Sequence, residues 1–268
     1  MPPSTGLRAR MRAELTREIK EEARRQLAVD GAPGLSLRAV TRSLGMASSA
    51  IYRYFPSRDD LLTALIVDAY DAIGEAAEEA DATGRRDDHW GRWRATARAV
   101  RRWALDHPHE YALVYGSPVP GYRAPEDTVG PASRVTLVLA RLVDDASRAG
   151  TLPRSPDRDD LGPVDAETSV AVRTLVGLAF PAASDEVAVR AVAAWTQLFG
   201  MISFELFGHF HNVVDDVDPV FERTLLEMGR LIGFDPPTVA SAGGATGRDG
   251  RVPDEGPPDD EEEVWYLV

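Results

Sequence analysis

Cysteine is absent from this sequence, which excludes a disulfide framework and a thiolate metal site and is typical of a reducing cytoplasm. No apolar run reaches the roughly 18 residues that span a bilayer, and the N-terminus is not followed by an apolar signal-peptide core. No alternation of apolar and polar residues is long enough to predict a strand. With 268 residues the chain can form one large domain or two small ones. We therefore expect an all-α, cytoplasmic protein with no membrane partner.

Positive charge is also scarce, and it is unevenly distributed. The formal net charge of −13 disfavours a nucleic-acid partner at first sight. Residues 1–65, however, carry ten arginines and Lys20 against seven acidic residues, a net charge of +4. Residues 66–234 and 235–268 have net charges of −10 and −7. The basic excess is confined to the N-terminal quarter, where phosphate binding would need it.

The N-terminal quarter contains a pattern typical of a helix-turn-helix. Ser36 is a suitable N-cap for the first helix, and Gly45 can adopt the left-handed conformation that ends it. A second helix is predicted over residues 48–54. Two helices joined by a short glycine-containing turn are the arrangement that places the second helix in a DNA major groove.

Helical periodicity continues far beyond this motif. Residues 57–60 form a capping box that opens a long helix, and we expect this helix to join an N-terminal three-helix bundle to a second helical domain. The predicted parts are a flexible basic arm (1–11), a helix-turn-helix domain (12–72), a second helical domain (86–233) and a disordered acidic tail (235–268).

Three blocks in the first domain carry a family resemblance. They are Leu35-Ser36-Leu37-Arg38-Ala39-Val40, Leu44-Gly45-Met46, and Ile51-Tyr52-Arg53-Tyr54-Phe55-Pro56-Ser57-Arg58-Asp59-Asp60-Leu61-Leu62. They resemble the DNA-binding domain of TetR/AcrR-type transcriptional regulators. Ala47 departs from the family, which often has a serine there to cap the recognition helix. Ser48 can cap one residue later, so the start of that helix stays open.

The second domain resembles a subgroup of the same family with a WHG-like C-terminal domain. The pieces are His107-Pro108-His109-Glu110-Tyr111, Gly116 to Tyr122, and Trp195 with Gly200 to Leu206. The subgroup is expected to have histidine where this chain has Phe199, which argues against an imidazole function there. The resemblance covers roughly residues 12–233. It implies a homodimeric, ligand-responsive regulator, usually a repressor, that binds a palindromic operator in double-stranded DNA through its first domain and binds ligand and dimerises through its second.

DNA contacts are expected from hydroxyls and arginines in the motif. Ser48, Ser49 and Tyr52 share one face near the start of the recognition helix, and hydroxyls suit base edges and phosphates. Arg58 begins the next helix, where free amides already favour an anion. The predicted contact set is Arg38, Arg42, Ser48, Ser49, Tyr52, Tyr54 and Arg58.

A dimer is needed because two reading helices about one DNA turn apart read the two half-sites of a palindrome. The helix predicted over residues 185–210 is apolar nearly all round, as expected of a helix buried on more than one side. We predict a four-helix interface that it forms with the helix over residues 164–180 and their copies. Its predicted contacts are Val187, Ala191, Ala194, Trp195, Leu198 and Ile202.

An effector pocket is expected inside the second domain. Aromatic surface with few polar groups suits an apolar or aromatic small molecule of unknown identity. The candidate wall residues are Trp103, Tyr111, Tyr115, Leu175 and Phe180, although each could equally be ordinary core. Binding would favour a state whose recognition helices no longer match the half-sites.

Enzymatic and metal chemistry find little support. His209 and His211 lie at i and i+2, so an intact helix would point them to different faces, and we expect no metal site. No set of nucleophile, base and orienting group and no phosphate loop is visible, so we expect no catalytic residue and no cofactor. A helical-scaffold enzyme and a non-DNA-binding partner protein remain as alternatives, and salt-dependent binding to upstream DNA would separate them from a regulator.

Overall fold

The computed structural model describes residues 4–152, 164–179 and 181–234, and within these ranges all regular elements are helical. The predicted all-α class is confirmed. In chain order the helices are α1 (Ser4–Gly34), α2 (Leu37–Ser43), a 3-10 helix (Ile51–Arg53), α3 (Arg58–Thr83), α4 (His89–Asp106), α5 (Pro108–Tyr115), a 3-10 helix (Glu126–Thr128), α6 (Val129–Arg148), α7 (Ala166–Ala179), α8 (Asp185–Leu206) and α9 (Val217–Ile232).

The start of α1 differs from the prediction. Residues 4–11, expected as part of a flexible arm, form the first turns of α1. Their arginines, alanine, leucine and methionine are good helix formers, and the next turn is anchored because Arg12 Nη2 donates to the Arg53 carbonyl at 2.9 Å. The helix is interrupted at Gly31, whose φ of 67° suits glycine. The predicted acidic tail, residues 235–268, lies outside the described residues.

Local signals placed the start of α3 correctly, whereas the end of α8 differs from the prediction. Ser57 accepts from the Asp60 amide at 3.1 Å and donates to its carboxylate at 2.7 Å, so the capping box opens α3 as predicted. Ser36 occupies the N-cap of α2 with extended backbone but makes no side-chain cap. α8 ends at Leu206, four residues earlier than expected, because Gly208 follows with a φ of 79°.

Two apolar cores share α3. Its first turns contribute Leu61 and Leu65 to a core formed with α1 and α2, and its later turns contribute Ala69 and Ile73 to the core of the second domain. α3 therefore connects the two cores.

A buried ion-pair cluster fastens the far end of α3 to the second domain. The Arg92 side chain is 1% exposed and donates to Asp81 at 2.8 Å and to Asp145 at 2.9 Å, which joins α4 to α3 and α6. Burial pushes the pKa of Asp81 upward, but hydrogen bonds from Arg92 and Arg86 outweigh it and hold that pKa below its ordinary value. The cluster therefore depends on an ionised Asp81.

Candidate functional site

The turn between α2 and the reading segment has the geometry of a Schellman motif. Gly45 has a φ of 64°, the Met46 amide donates to the Thr41 carbonyl at 2.9 Å, and the Gly45 amide donates to the Arg42 carbonyl at 3.3 Å. Met46 then packs on the N-terminal core. This turn fixes the angle at which the chain leaves α2.

The reading segment is shorter than a regular helix. Its first turn closes when the Ala50 amide donates to the Ala47 carbonyl at 2.8 Å, and the 3-10 helix Ile51–Arg53 follows. Ser48 and Ser49 therefore lie within the first turn, whose first acceptor is the Ala47 carbonyl. Ile51 is buried in the N-terminal core and anchors the segment.

Three of the predicted DNA contacts form an outward hydroxyl face. Ser48 and Ser49 are exposed, and 51% of Tyr52 is exposed although it is a large aromatic residue. A half-exposed tyrosine beside two free serines offers apolar contact and hydrogen bonds on one small surface.

The same helix-turn-helix carries three unpaired arginines. Arg38 and Arg42 lie one turn apart on α2 and are exposed, and Arg53 lies beside Tyr52. Within the part of the chain that the structure describes, their guanidinium groups make no salt bridge or hydrogen bond. Arg94, Arg98 and many other arginines of the second domain are instead paired with carboxylates. Arg53 was missed from sequence, although its position next to Tyr52 was a usable signal.

Arg58 does not match its predicted role. Its Nε donates to the Leu35 carbonyl at 3.0 Å and its Nη2 to the Ala32 carbonyl at 2.6 Å. The guanidinium thus satisfies backbone acceptors in the loop between α1 and α2. We propose this structural role in place of the expected DNA contact.

Tyr54 does not belong to the hydroxyl face of Ser48, Ser49 and Tyr52. It is half-buried against the N-terminal core, and the Arg12 guanidinium lies over its ring at 5.4 Å. Arg12 was not identified from sequence because it lies 42 residues away. This pair ties the end of the reading segment to α1.

The short helix α5 lies between the reading domain and the second core. Glu110 pairs with Arg24 of α1 at 3.3 Å, and Tyr70 of α3 donates to the Val114 carbonyl at 3.1 Å. On the other side, the Tyr111 hydroxyl donates to the Phe199 carbonyl of α8 at 3.3 Å and lies 3.0 Å from the Ser203 hydroxyl. Movement of α8 can therefore reach α1 and α3 through α5.

The predicted dimer contacts on α8 lie mostly inside the subunit. Ala194, Leu198 and Ile202 are 0% exposed within a single chain, and Val187 and Ala191 are buried with them. Trp195 is half-buried against the same core. The fully covered side chains are not available to a second copy in this conformation. The outward face of α8 instead carries Ala193, Thr196, Gly200 and Phe204.

The described side chains of the predicted effector wall, Trp103, Tyr111 and Tyr115, pack in or against the second core. Trp103 is buried and lies 5.1 Å from the His107 ring. Tyr111 and Tyr115 pack in the core, where burial raises the pKa of both phenols. Leu175 lies in α7, but its side chain is outside the described residues, as is the whole of Phe180.

A cavity of about 80 Å³ lies elsewhere in the second domain. It is formed where α4, α6, α8 and α9 meet. Its lining consists of Trp93, Thr136, Leu139, Ala140, Val143, Ala191, Val192, Trp195 and Ile232. Two residues predicted for the dimer interface, Ala191 and Trp195, therefore line a cavity.

Membrane and metal features are weak. α8 is long and apolar enough to cross a bilayer, with a mean hydropathy of 1.4, but one such helix is weak evidence. Within residues 4–152, 164–179 and 181–234, no three histidine or acidic side chains group as a metal site would require.

Comparison with known proteins agrees with this architecture. Residues 19–65 match the family model described as bacterial regulatory proteins of the tetR family, and residues 93–228 match the tetracyclin repressor-like C-terminal domain. An HTH-type transcriptional regulator of Mycobacterium tuberculosis is 40% identical over 224 residues, which cover 81% of this chain and 92% of that protein. A Mycobacterium bovis regulator matches to the same extent.

Solved structures show the same fold. The crystal structure of a regulatory protein is 34% identical and covers 82% of this chain and 97% of its own, with a TM-score of 0.68. A tetR-family regulatory protein from Rhodococcus RHA1 is 18% identical, covers 82% of this chain and 98% of its own, and has a TM-score of 0.56, which supports the fold alone.

Proposed function

The chain belongs to the TetR family of helix-turn-helix transcriptional regulators, and on that premise we propose that it is a homodimeric repressor released from a palindromic operator by a small apolar or aromatic effector. The family is one of DNA-binding regulators rather than enzymes. A cytoplasmic location follows from this proposal, because the operator is there.

The observation that carries the proposal is the free polar surface of the reading segment. Arg38, Arg42 and Arg53 are exposed and make no pairs with the described residues, and Tyr52 in the same helix-turn-helix is half-exposed. In a chain of net charge −13, unpaired cations on the one basic segment are suited to phosphates. We assign base-edge contacts to Tyr52, Ser48 and Ser49 and phosphate contacts to the arginines.

The dimer is proposed to form through the outward face of α8 with α7 or α9. Only a third of the most apolar 18-residue stretch of α8 is buried within one chain. Phe204 is 53% exposed, and a side chain added at Gly200 would meet no atom of its own chain, which leaves room for close approach. A second copy would cover this face and orient the two reading segments.

Release from the operator is proposed to act through α5. Because α5 contacts α8 on one side and α1 and α3 on the other, a shift of α8 changes the position of the reading domain. An effector that binds the shifted state better lowers operator affinity by its differential affinity for the two states.

The test is a titration of intergenic DNA flanking the gene, followed by fluorescence anisotropy over a salt series. We expect affinity to fall steeply with salt, and Arg42→Ala to reduce the salt slope by about 1. Arg102→Ala is the matched control, because it removes one exposed arginine from α4 in the second domain. Equal effects of the two substitutions would contradict the assigned surface.

Tyr52→Ala is expected to weaken operator binding by about 1–3 kcal/mol while non-specific DNA binding changes little. Circular dichroism should show an unchanged fold, since the Tyr52 ring is half in solvent. An unchanged preference for the operator would remove Tyr52 from the reading surface.

A further inference from the structure

The cavity between α4, α6, α8 and α9 has a side chain with an unsatisfied polar atom in its lining. The indole Nε1 of Trp195 is buried and has no hydrogen-bond partner in the described part of the chain, and Trp195 lines the cavity. A buried N–H without an acceptor is costly, and such groups in native structures call for an explanation. The rest of the lining offers one other polar side chain, that of Thr136, so an ordered water would find few partners.

We propose that this cavity is the effector site and that its effector is a small, uncharged aromatic molecule with one hydrogen-bond acceptor, which accepts from Trp195 Nε1. This inference rests on the proposed function, since it names the ligand class and position of the effector assumed there. The rings of Trp93 and Trp195 suit a flat ligand, and Leu139, Val143 and Ile232 suit an apolar one. None of the described lining residues is charged, so an ionic effector would lose its hydration without gaining a partner.

The size of the cavity connects binding to movement. About 80 Å³ is well below the roughly 300 Å³ at the low end of ordinary ligand pockets. A ring-sized ligand must therefore displace part of the wall. Trp195, Val192 and Thr136 are half-buried, whereas Ala140 and Ala191 are buried in the core. Ligand entry thus selects a state in which Trp195 has moved.

A row of rings leads from Trp195 to the reading domain. Trp195 lies 6.0 Å from Phe199 in an edge-to-face arrangement, Phe199 lies 4.6 Å from Tyr115, and Tyr115 lies 5.8 Å from Tyr70 at 90°. Tyr70 packs on the N-terminal core and bonds to α5. Close-packed rings change position together rather than deform, so displacement of Trp195 is transmitted to α3 and α5.

The experiment uses a matched pair of single-ring compounds, acetophenone and ethylbenzene, which differ mainly in the carbonyl acceptor. Calorimetric titration of the full-length protein is expected to show tighter binding of acetophenone by roughly 3- to 10-fold, the range for one net hydrogen bond. Trp195→Phe keeps the ring and removes the donor, and should make the two affinities equal. A preference that survives in Trp195→Phe, or no binding of either compound to the folded wild type, overturns the proposal.

A second experiment fills the cavity with a larger side chain. Ala140→Leu should abolish binding of both compounds and the release of operator by acetophenone while operator affinity stays at the wild-type level. If that variant does not fold, Thr136→Met at the half-buried rim serves the same purpose, with thermal melting as the fold check. Unchanged binding in a folded filled variant would place the site elsewhere.

The effector site and the proposed regulatory function can be refuted separately. Calorimetry requires no DNA, so a protein that binds acetophenone through Trp195 without recognising flanking DNA would retain the cavity site and contradict the proposed function. A protein that binds its operator but binds neither compound would retain the proposed function and contradict the cavity site.

Discussion

Phe204→Ala tests the proposed dimer interface quantitatively. Phe204 is 53% exposed in a single chain, and a phenylalanine can bury roughly 200 Å², so about 100 Å² per copy is available to a partner. At about 25 cal/mol per Å² this corresponds to about 2.5 kcal/mol per copy. Association converts area incompletely, so for the two copies together we expect about 3 kcal/mol, roughly a 100-fold rise in the dimer Kd.

Sedimentation equilibrium measures that Kd, and two controls separate association from folding. Leu105→Ala trims an apolar side chain exposed on α4 and should leave both the Kd and the melting temperature unchanged. Leu198→Ala, at a site 0% exposed within its own chain, should instead lower the stability of the subunit by about 2–5 kcal/mol. The reasoning is refuted if Phe204→Ala leaves a measurable Kd unaltered, or if Leu198→Ala dissociates the dimer without loss of subunit stability.

Three further substitutions address the other contacts. Arg58→Ala removes two charged donors from backbone carbonyls and should cost about 1.5–3 kcal/mol in urea unfolding, whereas the salt slope of operator binding should not change. Asp81→Asn leaves the buried Arg92 with one carboxylate partner fewer and should destabilise the protein by about 3 kcal/mol at pH 7. The folded-state pKa of Asp81 is depressed, so its stabilising effect is complete above the unfolded pKa of about 3.9. The effect is lost as the pH falls through the folded-state pKa. The wild-type and variant stabilities should therefore converge in acid. Glu110→Gln weakens the α5–α1 contact and should reduce effector–operator coupling by about 0.5–1 kcal/mol while binding of each ligand alone persists.

Each of these has a contrary outcome. A lower salt slope with unchanged stability would return Arg58 to the DNA surface. A constant stability difference from pH 7 to pH 3 would show that Asp81 does not act through its charge. Unaltered coupling in Glu110→Gln would mean that the signal from α8 bypasses the contact between α5 and α1.

Local sequence signals, each spanning a few residues, were sufficient to predict the helix-turn-helix motif. The left-handed turn at Gly45, the cap at Ser57 and the ends of α9 each depend on neighbours within one or two turns, so their chemistry can be recognised without knowing the fold. The block from Ile51 to Leu62 indicated the family by the same kind of local order. The reading segment is less regular than expected, a 3-10 helix whose Ile51 is buried in the N-terminal core.

Only the tertiary structure showed which apolar surfaces are buried within the subunit and which remain exposed. Periodicity shows that α8 is apolar on several faces, but it cannot distinguish the face covered by the same chain from the face left for a second copy, because both require apolar residues. Arg58 has a long side chain whose acceptors lie 23 and 26 residues earlier, so its direction was beyond any local pattern. The same holds for the cavity. It exists only because α4, α6, α8 and α9 converge around small side chains, which turned Trp195 from a predicted contact between subunits into the buried donor of a candidate effector site.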